Sequence, residues 1–341
     1  MNKRRTGSRS TGRTTIEDVA RHAGVSAITV SRALRTPDSV SKPLRERIGQ
    51  AVATLGYVPN RAARTLASAR SNSVAVLVPS LSNQVFVDVL AGIRDVLGPR
   101  GYQLLIGNNL YDAAEEERLL MAYLEHHPDG LLLTGLQQSP RARAALAGSG
   151  VPTVHMMDLM ADHSVTSVGF SQPAAGYAMT RHLLERGHRR IAFMAAQLDE
   201  RTLKRRDGYR QALDEAGHGD YCAEISSPAA SSVGLGVELT AQLLAEHPAI
   251  DAVFCCNDDL ALGALFHCQR RGIPVPQHLA IAGFNDLGFG ACSVPALTTV
   301  ATPRYHIGVR AAELLLARID NPALDAETLD LGFELQTRES A

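Results

Sequence analysis

Residues 14–34, TTIEDVARHAGVSAITVSRAL, constrain the fold most strongly, because their pattern fits two short helices joined by a tight turn. Apolar residues recur at the spacing of one helix face, at Ile16, Val19, Ala20 and Ala23. Thr15 precedes this run as an N-cap, and Gly24 supplies the permissive backbone that a helix end needs. The stretch predicts a helix-turn-helix whose second helix is the candidate reader of a DNA groove.

The second helix, capped by Ser26, divides into two faces at 100° per residue. Its apolar face is Val30, Ala33 and Leu34, and its opposite face is Ala27, Ile28, Ser31 and Arg32. Periodicity alone would also fit any short helical hairpin. Charge favours DNA, because residues 1–70 contain 14 Lys and Arg against four Asp and Glu, whereas the whole chain has a net charge of −1. A basic head on an acidic body is typical of a nucleic-acid-binding module on a carrier domain.

Two further segments complete the head. Ser41 precedes a third helix with one apolar face, formed by Leu44, Ile48, Ala51, Val52 and Leu55, and Gly56 ends it. The following residues 57–67, YVPNRAARTLA, predict a helix of one or two turns. Because so short a helix is marginal in water, we expect it to form only where another partner holds it.

The segment DVARHAGVSAITVSRAL, followed by LGYVPNRAARTLAS, resembles the head and hinge of the LacI family of bacterial transcription regulators. The resemblance implies that the hinge helix orders on operator DNA and wedges Leu66 into the minor groove, while Asn60, Arg61 and Arg64 hold the backbone. It places base contacts on Ala27, Ile28 and Arg32. The full set of candidate DNA-contacting residues in the head also includes Thr15, Ser26, Thr29 and Ser31.

Four of the DNA assignments have a plainer alternative. For Ile28 the alternative is packing in the small core of the head, and for Leu66 it is a linker residue packed on the body. For Arg61 and Arg64 the alternative is a merely solvated basic face. Arg32 can donate two hydrogen bonds to guanine, whereas Ala27 and Ile28 suit thymine methyl groups.

From Val74 onward, short apolar runs bounded by turns alternate with helical patterns. The runs are residues 73–80, 102–109, 129–135, 151–157, 190–196, 251–257 and 279–285. Such a pattern predicts parallel strands buried on both faces. Because seven units exceed one comfortable sheet, we expect an α/β body of two lobes, with a ligand cleft outside the carboxyl ends of the strands. The resemblance likewise implies a periplasmic-binding-protein-like body whose lobes are joined by three crossovers.

The predicted organisation has four parts. They are a disordered tail (1–13), a helix-turn-helix head (14–58), a hinge helix and linker (59–72) and the two-lobed body (73–341). Within the body, the first lobe is expected at about 73–169 and 300–330, and the second at about 170–299 and 331–341.

The resemblance also assigns candidate effector contacts, namely Ser80, Asn83, Phe86, Asp158, Arg205 and Asn285. Position in the chain adds Arg201, one helical turn before Arg205, and Asn257, at a strand end. A loop-stabilising hydrogen bond is the alternative role for each polar residue. Many relatives that bind sugars or purines carry aspartate where this chain has Asn285, and Arg201, Lys204, Arg205 and Arg206 cluster nearby. Losing a buried negative charge and gaining cations suits an anionic effector.

The segments LDERT (198–202), QVF after Asn83 and LDLGFEL (329–335) most resemble the gluconate-utilisation repressors of the family. The expected function is therefore a repressor that binds gluconate or a derivative in the cleft and releases operator DNA. 6-Phosphogluconate and 2-ketogluconate are close competitors. The alternatives are a corepressor-type regulator with a neutral sugar or another metabolite, and a solute-binding receptor of the same body fold.

Several function classes find no support in the sequence. It contains no G-x-x-x-x-G-K-[ST], G-x-S-x-G or H-E-x-x-H pattern, so we expect neither an enzyme nor a bound cofactor or metal. The five cysteines form no C-x-x-C and predict reduced thiols. No apolar run suggests a signal peptide or membrane span, which favours a cytoplasmic protein without a membrane partner. No terminal heptad repeat follows the body, so we expect a homodimer on a pseudo-palindromic operator.

Overall fold

A computed structural model describes residues 14–58, 70–135, 138–160, 162 and 164–341. The chain divides into two compact units, residues 1–71 and residues 72–341. The predicted tail (1–13) and the hinge residues Asn60, Arg61, Arg64 and Leu66 lie outside the described residues, so their assignments stay predictions.

The head is a small all-α unit. It contains α1 (Ile16–Ala23), α2 (Ala27–Arg35), a 3-10 turn (Pro37–Ser39) and α3 (Lys42–Leu55). Its core includes Val19 of α1, Val30 of α2 and Ile48 of α3, and each of these side chains is at most 1% exposed. Gly24 ends α1 in the left-handed conformation, at a φ of 63°, which lets the chain turn directly into α2.

The body contains two six-stranded sheets. The first sheet has the order β11-β5-β4-β3-β1-β2, and every pair in it is parallel. Its strands are β1 (Ser73–Val78), β2 (Gln103–Asn108), β3 (Gly130–Leu133), β4 (Thr153–Met156), β5 (Ser167–Gly169) and β11 (Thr328–Asp330).

The second sheet has the order β12-β10-β9-β8-β6-β7 and is parallel except for the pair of β10 and β12. Its strands are β6 (Ile191–Ala196), β7 (Ala223–Ser227), β8 (Ala252–Cys255), β9 (Ala280–Asn285), β10 (Thr298–Ala301) and β12 (Glu334–Gln336). The chain passes between the two sheets three times, after residues 169, 301 and 330. The predicted two-sheet α/β architecture with mostly parallel strands is confirmed.

Eight helices of the described chain cover the two sheets. With the first sheet, α4 (Gln84–Leu97), α5 (Ala113–Glu125), α6 (Pro140–Ser149) and α11 (Arg304–Asp320) form the first lobe. With the second sheet, α7 (Gln172–Glu185), α8 (Glu200–Glu215), α9 (Val233–Glu246) and α10 (Asp258–Arg271) form the second lobe. None of the described helices is both long and apolar enough to cross a membrane.

One detail of the strand prediction is wrong. The strand β2 is not buried on both faces, because it forms the edge of the first sheet, and Gln103 and Ile106 are exposed there. An edge strand has a neighbour on one side only, so more of its surface is exposed to solvent. The central strands β1 and β3, in contrast, are fully buried.

Candidate DNA-binding surface and effector cleft

The helix α2 presents a mixed polar and apolar face away from the head core. Ile28 is 72% exposed, and Ser31 and Arg32 are exposed beside it, whereas Ala27 is half-buried. The alternative in which Ile28 packs in the core therefore does not describe this structure. An apolar side chain held in solvent next to an arginine provides both kinds of contact that base edges offer.

Three other predicted DNA contacts have local structural roles. The Thr15 hydroxyl accepts a hydrogen bond from the Asp18 amide at 3.3 Å, and the Asp18 carboxylate accepts one from the Thr15 amide at 2.9 Å. Ser26 caps α2 by accepting a hydrogen bond from the Thr29 amide at 3.2 Å. These bonds fix the starts of α1 and α2, and with them the orientation of the exposed face of α2.

A cleft in the body lies between the two lobes, where the strands end. The described residues that line it are Asn83, Val85, Phe86, Tyr111 and Met157 of the first lobe and Ala196, Gln197, Asp199, Arg201, Thr202, Arg205, Ser231, Asn257 and Asn285 of the second. The space between them amounts to about 480 Å³, with the open mouth included. Six of the eight predicted effector residues thus meet at one cleft.

Arg205 is the most firmly held polar group of the cleft. Its Nε donates a hydrogen bond to Gln172 Oε1, and its Nη1 donates one to the Cys256 carbonyl, both at 2.7 Å. The guanidinium carbon lies 3.8 Å from the centroid of the Phe284 ring. These contacts leave the other edge of the guanidinium without a hydrogen bond to the described residues. Arg205 is therefore a preorganised cation in a site where it is only 8% exposed.

Arg201 connects the two lobes. Its Nη2 donates a hydrogen bond to Asp199 Oδ2 at 3.0 Å, and its Nη1 lies 3.3 Å from the Thr134 carbonyl of the first lobe. Its guanidinium also stands 5.6 Å from the centre of the Phe86 ring. Burial would raise the pKa of Asp199, but the positive charges of Arg201 and Arg205 outweigh burial and lower that pKa to about 2. Asp199 is therefore ionised at neutral pH.

The charges of the cleft do not balance. Among the described lining residues, charge is carried by Arg201, Arg205 and Asp199, so the lining has an excess of one positive charge. Both arginines are less than 9% exposed, and a charge in such surroundings is screened far less than one in water. The cleft is therefore electrostatically suited to one negative charge.

Neutral polar groups form the rest of the lining. Asn83 and Asn257 are the N-caps of α4 and α10, and their side-chain oxygens accept hydrogen bonds from the amides of Val85 and Leu260. Asn257 Nδ2 also donates a hydrogen bond to Ser231 Oγ at 2.7 Å. Both amides therefore make the loop-stabilising hydrogen bonds that were the alternative to ligand contact, and both also line the cleft.

Strained backbone concentrates at the cleft. Met157, Gln197 and Asn285 have positive φ values of 76°, 67° and 112°, although none of them is glycine. Each stands at or just after the carboxyl end of a strand. Non-glycine residues adopt such angles at a cost and are enriched at binding and catalytic sites, which supports a functional role for this cleft.

Two predicted effector residues do not line the cleft. The Ser80 hydroxyl accepts hydrogen bonds from the Ser82 and Asn83 amides and stabilises the loop before α4. Asp158 is 2% exposed and is paired with Lys204 at 2.7 Å instead. Burial raises the pKa of Asp158, and the Lys204 ammonium opposes that rise. The structure thus places neither residue in the lining of this cleft, and their role as effector contacts stays a prediction.

Eight lining residues were not among the predicted effector contacts, and two of these, Asp199 and Tyr111, carry an ionisable group that bears on the chemistry of the cleft. Asp199 caps α8 by accepting a hydrogen bond from the Thr202 amide, and Tyr111 follows β2 and packs edge-on against Phe86. Burial raises the pKa of Tyr111 to about 12, so its phenol stays protonated and can donate a hydrogen bond. Both residues follow the carboxyl ends of strands, which is the signal that pointed to the other cleft residues.

Comparisons with known families match both parts of the chain. Residues 15–60 match the model of bacterial regulatory proteins of the lacI family. Residues 180–341 match that of the periplasmic binding protein-like domain.

Relatives and solved structures extend the match over nearly the whole chain. The chain is 53% identical to the HTH-type transcriptional regulator GntR of Pseudomonas aeruginosa, over 98% of this chain and 97% of that one. The crystal structure of transcription regulator GntR from Chromobacterium violaceum is 54% identical, has a TM-score of 0.76, and covers 79% of this chain and 98% of its own. The crystal structure of the Lac repressor dimer bound to operator and the anti-inducer ONPF is 26% identical, with a TM-score of 0.83 and coverage of 96% and 99%.

Proposed function

Because this chain belongs to the LacI family of bacterial transcription regulators and is a DNA-binding repressor, we propose that a sugar acid controls it. In this proposal an aldonate such as gluconate binds in the cleft between the lobes and releases the protein from operator DNA. The excess positive charge of the cleft carries the proposal. A carboxylate that leaves water needs a charge-assisted partner, and the free edge of Arg205 is the best-placed donor.

The remaining lining suits the polyol chain of such an acid. Asn83, Asn257 and Asn285 offer amide groups that can both donate and accept hydrogen bonds, as hydroxyl groups require. Phe86 and the ring of Tyr111 form an apolar wall on the first-lobe side, against which the carbon chain can pack. A neutral sugar would satisfy these groups and leave the excess charge of the cleft unpaired.

The two-lobed geometry supports a change of operator affinity on ligand binding. A ligand in the cleft touches residues of both lobes, so it stabilises the lobe arrangement in which it makes more contacts. Operator affinity then changes by the coupling between the two sites. We propose that the ligand is an inducer, which weakens operator binding. The same geometry would serve a corepressor if the ligand preferred the lobe arrangement that binds DNA.

On the DNA side, we propose that the exposed face of α2 reads base edges in the major groove. Arg32 is the proposed guanine contact, and Ile28 and Ala27 are the proposed contacts to thymine methyl groups. The hinge residues Asn60, Arg61, Arg64 and Leu66 are proposed minor-groove contacts on the basis of their sequence. The structural similarity to a Lac repressor dimer supports a homodimer on a two-fold operator.

Titration calorimetry tests the effector class directly. Gluconate, 6-phosphogluconate, 2-ketogluconate and a neutral polyol of the same length should be titrated into the full chain. The proposal predicts that one of the acids binds at least about tenfold more tightly than the neutral polyol, because of its charge-assisted bond to arginine. Equal affinities, or a preference for the neutral compound, would reject the sugar-acid assignment.

A further inference from the structure

An ion pair joins the two lobes beside the cleft. Lys204 Nζ of α8, in the second lobe, lies 2.7 Å from Oδ2 of Asp158, which follows β4 in the first lobe. The Asp158 side chain is only 3% exposed, whereas that of Lys204 is 30% exposed. Neither residue is part of the cleft lining. The pair is thus a buried carboxylate neutralised by a half-buried ammonium from the opposite lobe.

The charge of Asp158 nevertheless reaches the cleft. Burial lowers the pKa of Arg205, and the negative charge of Asp158 is among the groups that counteract this. Asp158 is likewise among the carboxylates that help to raise the pKa of Arg201 against the opposing effect of burial. The negative charge of Asp158 therefore acts on both cleft arginines, although Asp158 does not line the cleft.

A count of charges shows what Lys204 changes. Asp158 and Asp199 are the carboxylates whose charges act most on both arginines, and without Lys204 they would offset the charges of Arg201 and Arg205. With it, Asp158 is neutralised and the excess charge of the cleft survives. We propose that Lys204 sets the preference of the cleft for an anionic effector by neutralising Asp158. This inference rests on the proposed sugar-acid function.

A second carboxylate, that of Glu200, also touches Lys204, at 3.2 Å. Its side chain is 31% exposed, about ten times more than that of Asp158, so solvent screens it more strongly, although its Oε2 is buried without a hydrogen-bond partner among the described residues. It is not among the main charges that act on Arg201 or Arg205. Glu200 therefore offers a matched control, a carboxylate on the same lysine with less influence on the cleft.

At alkaline pH, where Asp158 stays ionised despite its burial, Lys204→Met should lower the affinity for gluconate by about tenfold and change the affinity for a neutral polyol of the same length much less, since only the anion meets the restored negative charge. Asp158→Asn should leave gluconate binding unchanged or stronger. The double variant Asp158→Asn/Lys204→Met should regain the preference for gluconate. Lys204→Arg should keep the preference for gluconate over the neutral polyol. Glu200→Gln should change that preference less than twofold.

Calorimetry with gluconate and the neutral polyol measures these ratios, and thermal unfolding of each variant verifies that it is folded. If Asp158→Asn weakens gluconate binding as strongly as Lys204→Met, the pair serves only to hold the lobes together and the inference is wrong. An unchanged ratio in Lys204→Met overturns it as well. If the unaltered protein itself shows no preference for the acid, the proposed function fails first, and that result is visible without any variant.

Discussion

At the scale of single residues, Arg205 is the group on which effector binding should depend most. Arg205→Met removes the buried cation but keeps much of the apolar stem that packs beside Phe284. We expect gluconate affinity to fall by about tenfold to a hundredfold, the loss of a hydrogen bond to a charged group. Operator affinity should stay within about twofold, because the head folds around its own core. Calorimetry and fluorescence anisotropy measure the two affinities.

Arg206→Met is the matched control for that experiment. Arg206 neighbours Arg205 on α8 but does not line the cleft, and its nearest carboxylate, that of Asp207, is 3.7 Å away. This variant should bind gluconate as the unaltered protein does. Equal losses in the two variants would mean that the total charge of α8 matters and that the position of Arg205 does not.

Arg32 is the residue of α2 that we expect to discriminate between DNA sequences. Arg32→Ala should reduce discrimination at one base position by about 1–3 kcal/mol, because a bidentate contact to guanine is lost. Arg61→Ala should instead weaken operator and scrambled DNA alike and flatten the salt dependence by about one unit. Anisotropy titrations on both DNAs at several salt concentrations separate the two outcomes. A uniform loss in Arg32→Ala would identify a phosphate contact.

Residue types and positions in the sequence predicted much of the cleft lining. They did not predict which side chains pair with each other. Arg205, Asn257 and Asn285 follow motifs whose place at strand ends can be read from the sequence. The pairing of Asp158 with Lys204 joins residues of two lobes and has no local signal in the sequence. Ser80 precedes the same helix as Asn83, and only the turn geometry separates their roles.

At the scale of elements, predictability depended on burial. The helices of the head have capping residues and apolar faces of the right period, so their positions followed from the sequence. The central strands are fully buried and therefore continuously apolar. The strands β5, β7, β11 and β12 are short or lie at sheet edges with polar residues, and no apolar run marks them.

The contact between α7 and α8 is the element-level feature that holds the arginines in place. A Cβ on Gly176 of α7 would lie 2.2 Å from the Arg205 carbonyl, so the two helices touch backbone to backbone. Gly176→Ala should push α8 away, lower the free energy of unfolding by about 1–3 kcal/mol and weaken gluconate binding. Chemical denaturation and calorimetry measure the two effects.

Gly148→Ala provides the comparison for that substitution. Gly148 lies in α6, and a Cβ there would meet no heavy atom within 4 Å. Alanine should raise the free energy of unfolding by about 0.5 kcal/mol, because it lowers the entropy of the unfolded chain, and effector affinity should not change. If Gly176→Ala behaved like Gly148→Ala, close helix contact would not be what positions Arg205.

At the scale of the whole molecule, charge separates the two tasks of the chain. Residues 1–70 are strongly basic, and the rest of the chain is acidic by about the same amount. The basic segment can displace counterions from DNA, whereas the acidic body repels the phosphate backbone. Within the body that polarity is reversed locally, because the cleft has an excess of one positive charge. An anion can thus be bound by a part of the protein that does not attract DNA.

Effector response requires that the ligand distinguish two states of this molecule. A ligand with equal affinity for the free and the operator-bound forms would shift nothing, however tightly it bound. The cleft offers such a distinction because its lining comes from both lobes and Arg201 bridges them through Thr134. Any change in the lobe arrangement therefore alters the contacts that the ligand makes.

The central claim is tested most directly by operator release. Full-length protein bound to fluorescent operator DNA should be titrated with gluconate and, in parallel, with a neutral polyol of the same length. The account predicts that gluconate lowers operator affinity by at least about fivefold, the lower end of ordinary allosteric coupling, and that the neutral polyol does not. Undiminished operator affinity at saturating gluconate, or an equal effect of the neutral polyol, would contradict it.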